Sequence, residues 1–259
     1  MGRFANGALI DIADVLDRPV WTSLTSCHAG FALGRGGARR FMTEAAPFAA
    51  ARDDSVESIV SLERLIVAQG GEARLMQAGK APELPNIPPA ETAPAVQMVA
   101  GPQLCPSLSN DAVRLTGTDA PEMQALAALA EPGPFEPLTH LLGRFWGIRR
   151  NNRLIAMAGE RFRQPGFTEI SAVSVHPAYR RQSLGSSLVR HTATHILARG
   201  DTPYLHTLAD NTDAIRIYER LGFQTRIDMT VTWFSALTDL TTAGANHAAP
   251  GKLRSFHDM

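Results

Sequence analysis

Two segments of the chain carry residue types whose spacing could support chemistry: a basic turn that suits phosphate binding, and a helix that carries a tyrosine. The first, residues 170–200, is a β-forming run that ends at Pro177, followed by a turn with two arginines and a glycine and then an amphipathic helix. It holds four arginines and no acidic residue. A helix N-terminus presents unpaired N–H groups and the positive end of the helix dipole, so this turn predicts a phosphate or pyrophosphate site. A helix start with a solvated basic face is the alternative that this segment alone leaves open.

The second segment, residues 209–223, has the pattern of a capped amphipathic helix. Asn211 is placed to cap its N-terminus and Gly222 to end it. One apolar stripe contains Ala214, Ile217, Tyr218 and Leu221. Taken alone, a tyrosine on such a stripe is more often a core residue than a catalytic one.

Together and in this order, the two segments resemble the GNAT superfamily of acetyltransferases. The matching motifs are Val-x-Val-x-Pro-x-Tyr-Arg, an Arg-x-x-Gly-x-Gly turn, and then Asn-x-x-Ala-x-x-x-Tyr-x-x-x-Gly-Phe. The resemblance covers residues 111–234, and residues 204–223 are most similar to the C-terminal domain of glycine N-acyltransferases. One departure is Ser183, which replaces the first glycine of the turn motif. Glycine there permits an unusual φ, whereas serine fits an amide-cradling turn if its φ is negative.

The resemblance implies a role for each matching residue. The strand that binds the pantetheine arm through its backbone corresponds to Val173, Ser174 and Val175. The pyrophosphate turn corresponds to Arg181, Gln182, Ser183, Leu184, Gly185 and Ser186, with Arg180 beside it. Asn211 matches a position that contacts the cofactor near the thioester. Tyr218 matches the tyrosine that protonates the departing thiolate, and Glu169 lies where many members keep a carboxylate that accepts the amine's proton, directly or through water.

Acyl transfer to an amine needs three kinds of group. An ammonium must lose a proton before it attacks, the oxyanion needs donors aimed at it, and a thiolate leaves more readily when protonated. The resemblance therefore implies transfer of an acetyl or other short acyl group from acyl-CoA to a primary amine, that of a small molecule, by direct attack in a ternary complex. Two alternatives stay open: a non-catalytic acyl-CoA-binding or sensing module, and an enzyme that acetylates a protein N-terminus or lysine.

Composition divides the chain into four zones. Residues 1–78 are an α/β region with predicted strands at 28–33 and 72–77, a turn at 34–37, and a helix that begins near Asp54 and Glu57 at capping-box spacing. This region could be a degenerate half-copy of the domain that follows.

The other zones are a linker, a domain and a tail. Residues 79–110 contain seven of the 17 prolines, which predicts a linker with at most a short strand at 96–100. Residues 111–235 are predicted as the GNAT domain, an α+β fold whose mixed, mostly antiparallel sheet is flanked by helices. The predicted order of its elements is β-α-(α)-β-β-β-α-β-α-β, with a hairpin of strands 144–149 and 153–161 around residues 150–152. Residues 236–259, rich in Ala, Thr and Gly, are predicted as a loose tail.

Several functions are disfavoured by the sequence. The 25 basic and 25 acidic side chains cancel, so no overall basic field attracts nucleic acid. His191 and His195 have the spacing of a zinc pair but no HExxH glutamate or third ligand, so no metal is expected. No apolar run approaches the ~20 residues of a membrane span, and the two cysteines suit a reducing compartment. We expect a soluble cytoplasmic monomer or homodimer. The loop at 131–137 either shapes an acceptor pocket or is a plain connector.

Overall fold

The computed structural model of the protein describes residues 3–5 and 8–235, so the predicted tail at 236–259 lies outside the described residues. The strands are β1 (Arg3–Ala5), β2 (Ala8–Ile10), β3 (Ala32–Leu33), β4 (Ala38–Phe41), β5 (Ala49–Ala51), β6 (Ala73–Ala78), β7 (Glu91–Ala100), β8 (Ala112–Leu115), β9 (Phe145–Arg150), β10 (Arg153–Gln164), β11 (Phe167–Val175), β12 (Thr202–Leu208) and β13 (Phe223–Phe234). The helices are α1 (Ile12–Leu16), α2 (Pro19–Leu24), α3 (Val56–Ala68), α4 (Ala120–Ala130), α5 (Leu184–Leu197) and α6 (Thr212–Leu221).

Eight strands form one sheet in the order β6-β13-β7-β12-β11-β10-β9-β8. Its neighbours pair antiparallel except β11 and β12, which run parallel and pair only from Phe167–Thr202 to Glu169–Tyr204. Beyond Glu169, β11 stays with β10 as far as Val175, and β12 stays with β7. The two strands therefore separate, and a gap opens in the middle of the sheet.

The β9–β10 hairpin follows the sequence prediction. Asn151 and Asn152 occupy its two-residue turn with φ of 50° and 61°. Asparagine tolerates this left-handed region better than most residues, and two such residues match the twist of the flanking strands. The predicted order of elements over residues 111–235 is likewise present, with bounds shifted by up to three residues.

The proline-rich segment is not a linker throughout. β7 lies within the predicted linker 79–110, yet it pairs with β13 on one side and β12 on the other. The linker prediction is therefore wrong for residues 91–100. Residues 95–100 contain no proline, so this stretch can hydrogen-bond to both neighbouring strands. The sheet thus takes strands from 73–78 and 91–100 as well as from 111–235.

The N-terminal region differs from the prediction in detail. Residues 29–31 form a 3₁₀ turn where a strand was expected, and only Ala32–Leu33 pair as β3. Helix α3 is capped by Ser55, whose hydroxyl accepts from the Ser58 N–H at 3.3 Å, and not by Asp54. The turn at 34–37 and the strand after α3 are confirmed.

The order of elements in this region bears on the half-copy hypothesis. Strands β3, β4 and β5 form an antiparallel sheet that is followed by α3 and β6. Strands β9, β10 and β11 are antiparallel in the same way and are followed by α5 and β12. Phe48, beside β5, even makes a parallel bridge with Arg74 of β6, as β11 does with β12. The half-copy stays a prediction, with this order in its favour.

Candidate active site

The turn before α5 leaves backbone donors free. Ser183 is the N-cap of α5 with φ of 57°, so the negative φ that serine would prefer is not adopted. Its side chain makes no capping hydrogen bond. The N–H groups of Leu184, Gly185 and Ser186 fall in the first helical turn, where no intrahelical acceptor exists. Arg181 also has a positive φ, of 62°. The turn thus forms a concave set of amides at the positive end of a helix.

A cavity of about 200 Å³ lies on this turn, and we call it the turn cavity. Most of the predicted cofactor residues line it: Val173, Val175, Arg180, Arg181, Ser183, Leu184, Gly185, Ser186 and Tyr218. Arg220 adds a third guanidinium, and no acidic residue is among the described lining residues. A Cβ on Gly185 would come within 3.5 Å of the side chains of Val173 and Val175. Free amides, arginines and a glycine are what a pyrophosphate requires, so the residues fit an acyl-CoA.

Three predicted cofactor residues do not line this cavity: Ser174, Gln182, and Asn211, which lines a second cavity described below. Ser174 is buried on the opposite face of β11, where its hydroxyl donates to the carbonyl of Ala172. Alternation along a strand explains this, since Val173 and Val175 face one side and Ser174 the other. The predicted role of Ser174 was through its backbone, which this orientation leaves possible. Gln182 is exposed and lines neither cavity described here.

A second cavity, of about 140 Å³, lies in the gap between β11 and β12, and we call it the sheet cavity. Residues of β6, β7, β10, β11, β12 and β13 contribute to its wall, as do Phe48 and Asn211. Pro132, Gly133 and Pro134 line it too, so the loop at 131–137 is more than a connector. Val173 and Tyr218 line both cavities. The two spaces therefore meet at these two residues.

Tyr218 stands at this junction on a helix fixed at both ends. The side chain of Asn211 accepts from the N–H of Ala214 at 3.1 Å, and Gly222 ends the helix with φ of 98°, as predicted. The ring of Tyr218 meets that of Phe223 edge-on, with centroids 6.3 Å apart, and the residue is only 6% exposed. No described residue hydrogen-bonds its hydroxyl. Burial raises the pKa of Tyr218 to about 12, so the phenol stays protonated and can donate.

Glu169 is placed differently from the prediction. It is fully buried, and the guanidinium of Arg161 donates two hydrogen bonds to its carboxylate, of 2.8 and 2.7 Å. The N–H of Phe162 and the Nδ1 of His206 also bond to this carboxylate. Burial by itself raises the pKa of Glu169. The charge and hydrogen bonds of Arg161 and the hydrogen bond from His206 outweigh burial, and they lower the pKa to about 2. A carboxylate so acidic and so fully bonded is a poor proton acceptor, which argues against the predicted role.

A chain of polar side chains continues from Glu169 across the sheet. His206 bonds through Nδ1 to Glu169 and through Nε2 to the amide of Gln97. The Gln97 oxygen accepts from Arg226, which also pairs with Asp17. Burial lowers the pKa of His206, so its ring is neutral with Nδ1–H donated to the carboxylate. Glu169 is thus a positioning residue that fixes Arg161 and His206, both of which line the sheet cavity.

Sequence reasoning missed these cavity residues. Arg161, His206 and Arg74 belong to three different strands that contribute to the sheet cavity. The alternation Tyr204-Leu205-His206 signalled only that one face of β12 is polar. Which strands lie side by side is a property of the tertiary structure, and residue spacing along the chain does not predict it.

His191 and His195 have a packing role. Their rings lie 4.6 and 4.2 Å from that of Trp146, and the Nδ1 of His191 accepts from the N–H of Ser109. In the described part of the chain, no group of three or more His, Cys, Asp or Glu residues could hold a metal ion. Over the same residues, no helix is both long and apolar enough to span a membrane.

Comparison with known proteins identifies the family. Residues 145–234 match the FR47-like protein family. A solved structure assigned to the GNAT acetyltransferase family, from Novosphingobium aromaticivorans, is 38% identical, with 86% of this chain and 98% of that chain covered at a TM-score of 0.79. A GCN5-related N-acetyltransferase from Kribbella flavida shares the fold at 17% identity and a TM-score of 0.58, over 85% and 95% of the two chains. The chain belongs to the GNAT family of acetyltransferases.

Two curated relatives match over shorter stretches. Mycothiol acetyltransferase from Corynebacterium glutamicum is 43% identical over 60 residues, which cover 23% of this chain and 20% of that protein. The N-alpha-acetyltransferase RimI from Mycobacterium tuberculosis is 35% identical over 81 residues, 30% of this chain and 50% of that protein. The chain thus covers about a fifth of the length of the mycothiol acetyltransferase and about half of the length of RimI.

Proposed function

We propose that the protein transfers an acetyl group from acetyl-CoA to the primary amine of a small molecule. The observation that carries this proposal is the meeting of the two cavities at Val173 and Tyr218. When the pyrophosphate of acyl-CoA binds at the turn, the thioester end of the molecule lies where the sheet cavity begins. An acceptor in the sheet cavity reaches the same point from the other side.

Each side of the junction has a defined task. The amides of Leu184, Gly185 and Ser186, with the guanidinium groups of Arg180 and Arg181, bind the pyrophosphate. The edge of β11 beyond Glu169 is free of β12, so its backbone can hydrogen-bond an extended pantetheine arm. Acyl-CoA supplies the activated acyl carbon. Tyr218 donates a hydrogen bond, and finally its proton, to the sulfur that leaves.

The amine is activated by the charge of its surroundings. The described lining residues of the sheet cavity include the cations Arg74 and Arg161 and no carboxylate. A positive environment disfavours an ammonium ion and so lowers the pKa of a bound amine. The acceptor therefore reacts as the neutral amine after losing its proton to solvent. We expect kcat/KM to rise with pH in step with the ionisation of the chosen amine and not with that of Glu169.

A small acceptor is favoured over a protein terminus. The sheet cavity is built from several chain segments, including Phe48 of the N-terminal region and the loop at 132–134, and it measures only about 140 Å³. The names of the two curated relatives specify mycothiol in one case and N-alpha acetylation in the other. The finer likeness to glycine N-acyltransferases stays a prediction. Two exposed, unpaired cysteines, Cys27 and Cys105, are compatible with the proposed cytoplasmic location.

The test is release of free thiol from acetyl-CoA across a panel of small amines and of peptides with free N-termini. We expect thiol release above the amine-free background with at least one small amine, together with the N-acetylated product by mass spectrometry. CoA that binds by calorimetry while no acceptor accelerates thiol release would support the sensing module instead. Faster turnover of peptides than of every small amine would assign a protein acceptor.

A further inference from the structure

The sheet cavity is lined by two arginines, Arg161 and Arg74, whose charges are compensated differently. Arg161 has a carboxylate partner, Glu169, with which it forms a buried ion pair of 2.7 Å. Arg74 has no such partner: within the described part of the chain, no carboxylate oxygen lies within ion-pair distance of its guanidinium. Arg74 packs over the ring of Trp233, 5.9 Å from its centroid, and lines the cavity.

The electrostatics show that Arg74 is under-compensated. Burial, and next the positive charge of Arg161, lower the pKa of Arg74, while the charges of Glu136 and Glu91 act in the opposite direction. Two guanidinium groups that repel each other across one cavity are stabilised by an anion placed between them.

The rest of the wall is largely apolar. It includes Phe48, Met76, Ile170, Leu208, Val231 and Trp233. Such a surface suits an apolar or aromatic body attached to the anion, because hydrophobic contacts fill the space and the charged group fixes the orientation. Phe48 lies under Arg161, with the guanidinium carbon 4.8 Å from the ring centroid, so aromatic faces hold both arginines in place.

We infer that the acceptor is a primary amine that also carries a carboxylate, with an apolar or aromatic side chain. The inference rests on the proposed function for the amine and on Arg74 for the carboxylate. A planar guanidinium can donate two parallel hydrogen bonds to a carboxylate, and that of Arg74 makes no hydrogen bond or ion pair with another described residue. Arg74 belongs to β6 at the edge of the sheet, whereas the junction residues Val173 and Tyr218 come from β11 and α6. The carboxylate is therefore bound away from the point of transfer, and the amine points toward it.

Matched acceptors test this directly. Leucine and phenylalanine are compared with their amides, with the decarboxylated amines isopentylamine and phenethylamine, and with the aminophosphonate analogues, each assayed at the pH where its amine is equally deprotonated. We expect kcat/KM for the carboxylates to exceed that for the neutral analogues at least tenfold. Equal or faster turnover of the amides or the simple amines overturns the inference. Better turnover of the phosphonates overturns the choice of a carboxylate.

Binding measurements separate this inference from the proposed function. N-acetylleucine, N-acetylphenylalanine and their amides are titrated by calorimetry into the wild type, Arg74→Gln and Arg39→Gln. Arg39 is a matched control because it also packs over a tryptophan, Trp21 at 5.4 Å, and lines neither cavity. Arg74→Gln should weaken binding of the carboxylates by about 10- to 100-fold, the range for a hydrogen-bonded charge, and leave the amides unaffected. Arg39→Gln should change neither.

The outcomes are distinct. If the carboxylates bind through Arg74 and no amine is acetylated, the proposed function is refuted and the anion site is supported. If neutral amines are acetylated and Arg74→Gln does not weaken carboxylate binding, the inference is refuted and the transferase activity is supported. No saturable binding of either carboxylate, with no turnover of the amino acids, also overturns the inference.

Discussion

Replacing Tyr218 with phenylalanine tests the proposed proton donor with the least structural change. The variant keeps the ring between the two cavities and its edge-on contact with Phe223, and it removes only a hydroxyl to which no described residue hydrogen-bonds. We therefore expect CoA affinity and the melting temperature to stay close to those of the wild type, while kcat falls.

The size of the effect follows from the acidity of the phenol. The pKa of Tyr218 is about 12, and that of a thiol is about 8.5, so complete proton transfer to a solvated thiolate costs ~5 kcal/mol. The hydroxyl therefore acts first as a hydrogen-bond donor to the charge that develops on sulfur. A hydrogen bond to a charged group contributes ~1.5–3 kcal/mol, which corresponds to a decrease in kcat of roughly 10- to 150-fold.

The assay is thiol release under saturating acetyl-CoA, with Cys27 and Cys105 blocked or subtracted because both are exposed and react with thiol reagents. Single-turnover measurements establish that the chemical step is observed. Tyr204→Phe is the matched control: it also removes a buried phenol, one hydrogen-bonded to Gln164, but lines neither cavity. It should lower the melting temperature and leave kcat of the folded enzyme unchanged. Wild-type turnover by Tyr218→Phe in the chemical step would refute the donor role. Because the folded pKa is raised, no alkaline loss of activity below about pH 10 should originate from Tyr218.

Three further variants probe the turn and the buried carboxylate. Gly185→Val fills the turn cavity and should weaken CoA binding at least tenfold, about 1.4 kcal/mol, by calorimetry; unchanged affinity in a folded variant contradicts the site. Ser183→Gly relieves a left-handed backbone and should raise the free energy of unfolding by ~1 kcal/mol with CoA affinity held or improved; a clear loss of affinity would assign the hydroxyl to phosphate. Glu169→Gln leaves Arg161 buried without its counter-charge and should lower the free energy of unfolding by ~3 kcal/mol at pH 7 in denaturant titrations. Since the folded pKa of Glu169 is depressed to about 2, its stabilisation is full above the unfolded pKa near 4.3 and is lost as pH falls toward 2, so wild type and variant should converge in acid. A kcat that falls selectively at low pH in Glu169→Gln would instead restore this residue as the base.

The sequence alone determined the parts of the protein that depend on neighbours along the chain. The turn from Arg180 to Ser186, the helix cap at Asn211 and the stop at Gly222 follow from residue types and spacing. So do the β9–β10 hairpin and the strand–turn–helix order, because turns, caps and periodicity are local properties. The same local motifs carried the family resemblance, and they place Tyr218 on the correct helix face.

Tertiary structure decided what no local pattern encodes. Composition made residues 91–100 look like part of a linker, yet they form a central strand because β12 and β13 supply hydrogen-bonding partners on both sides. Glu169 has the position of a base along the chain, but Arg161 and His206, brought from other strands, neutralise and enclose it. A residue's charge state depends on what surrounds it in space, and lateral strand order sets those surroundings. For the same reason Arg74, 144 positions before Tyr218 in the chain, became visible as a cavity residue only once the sheet was assembled.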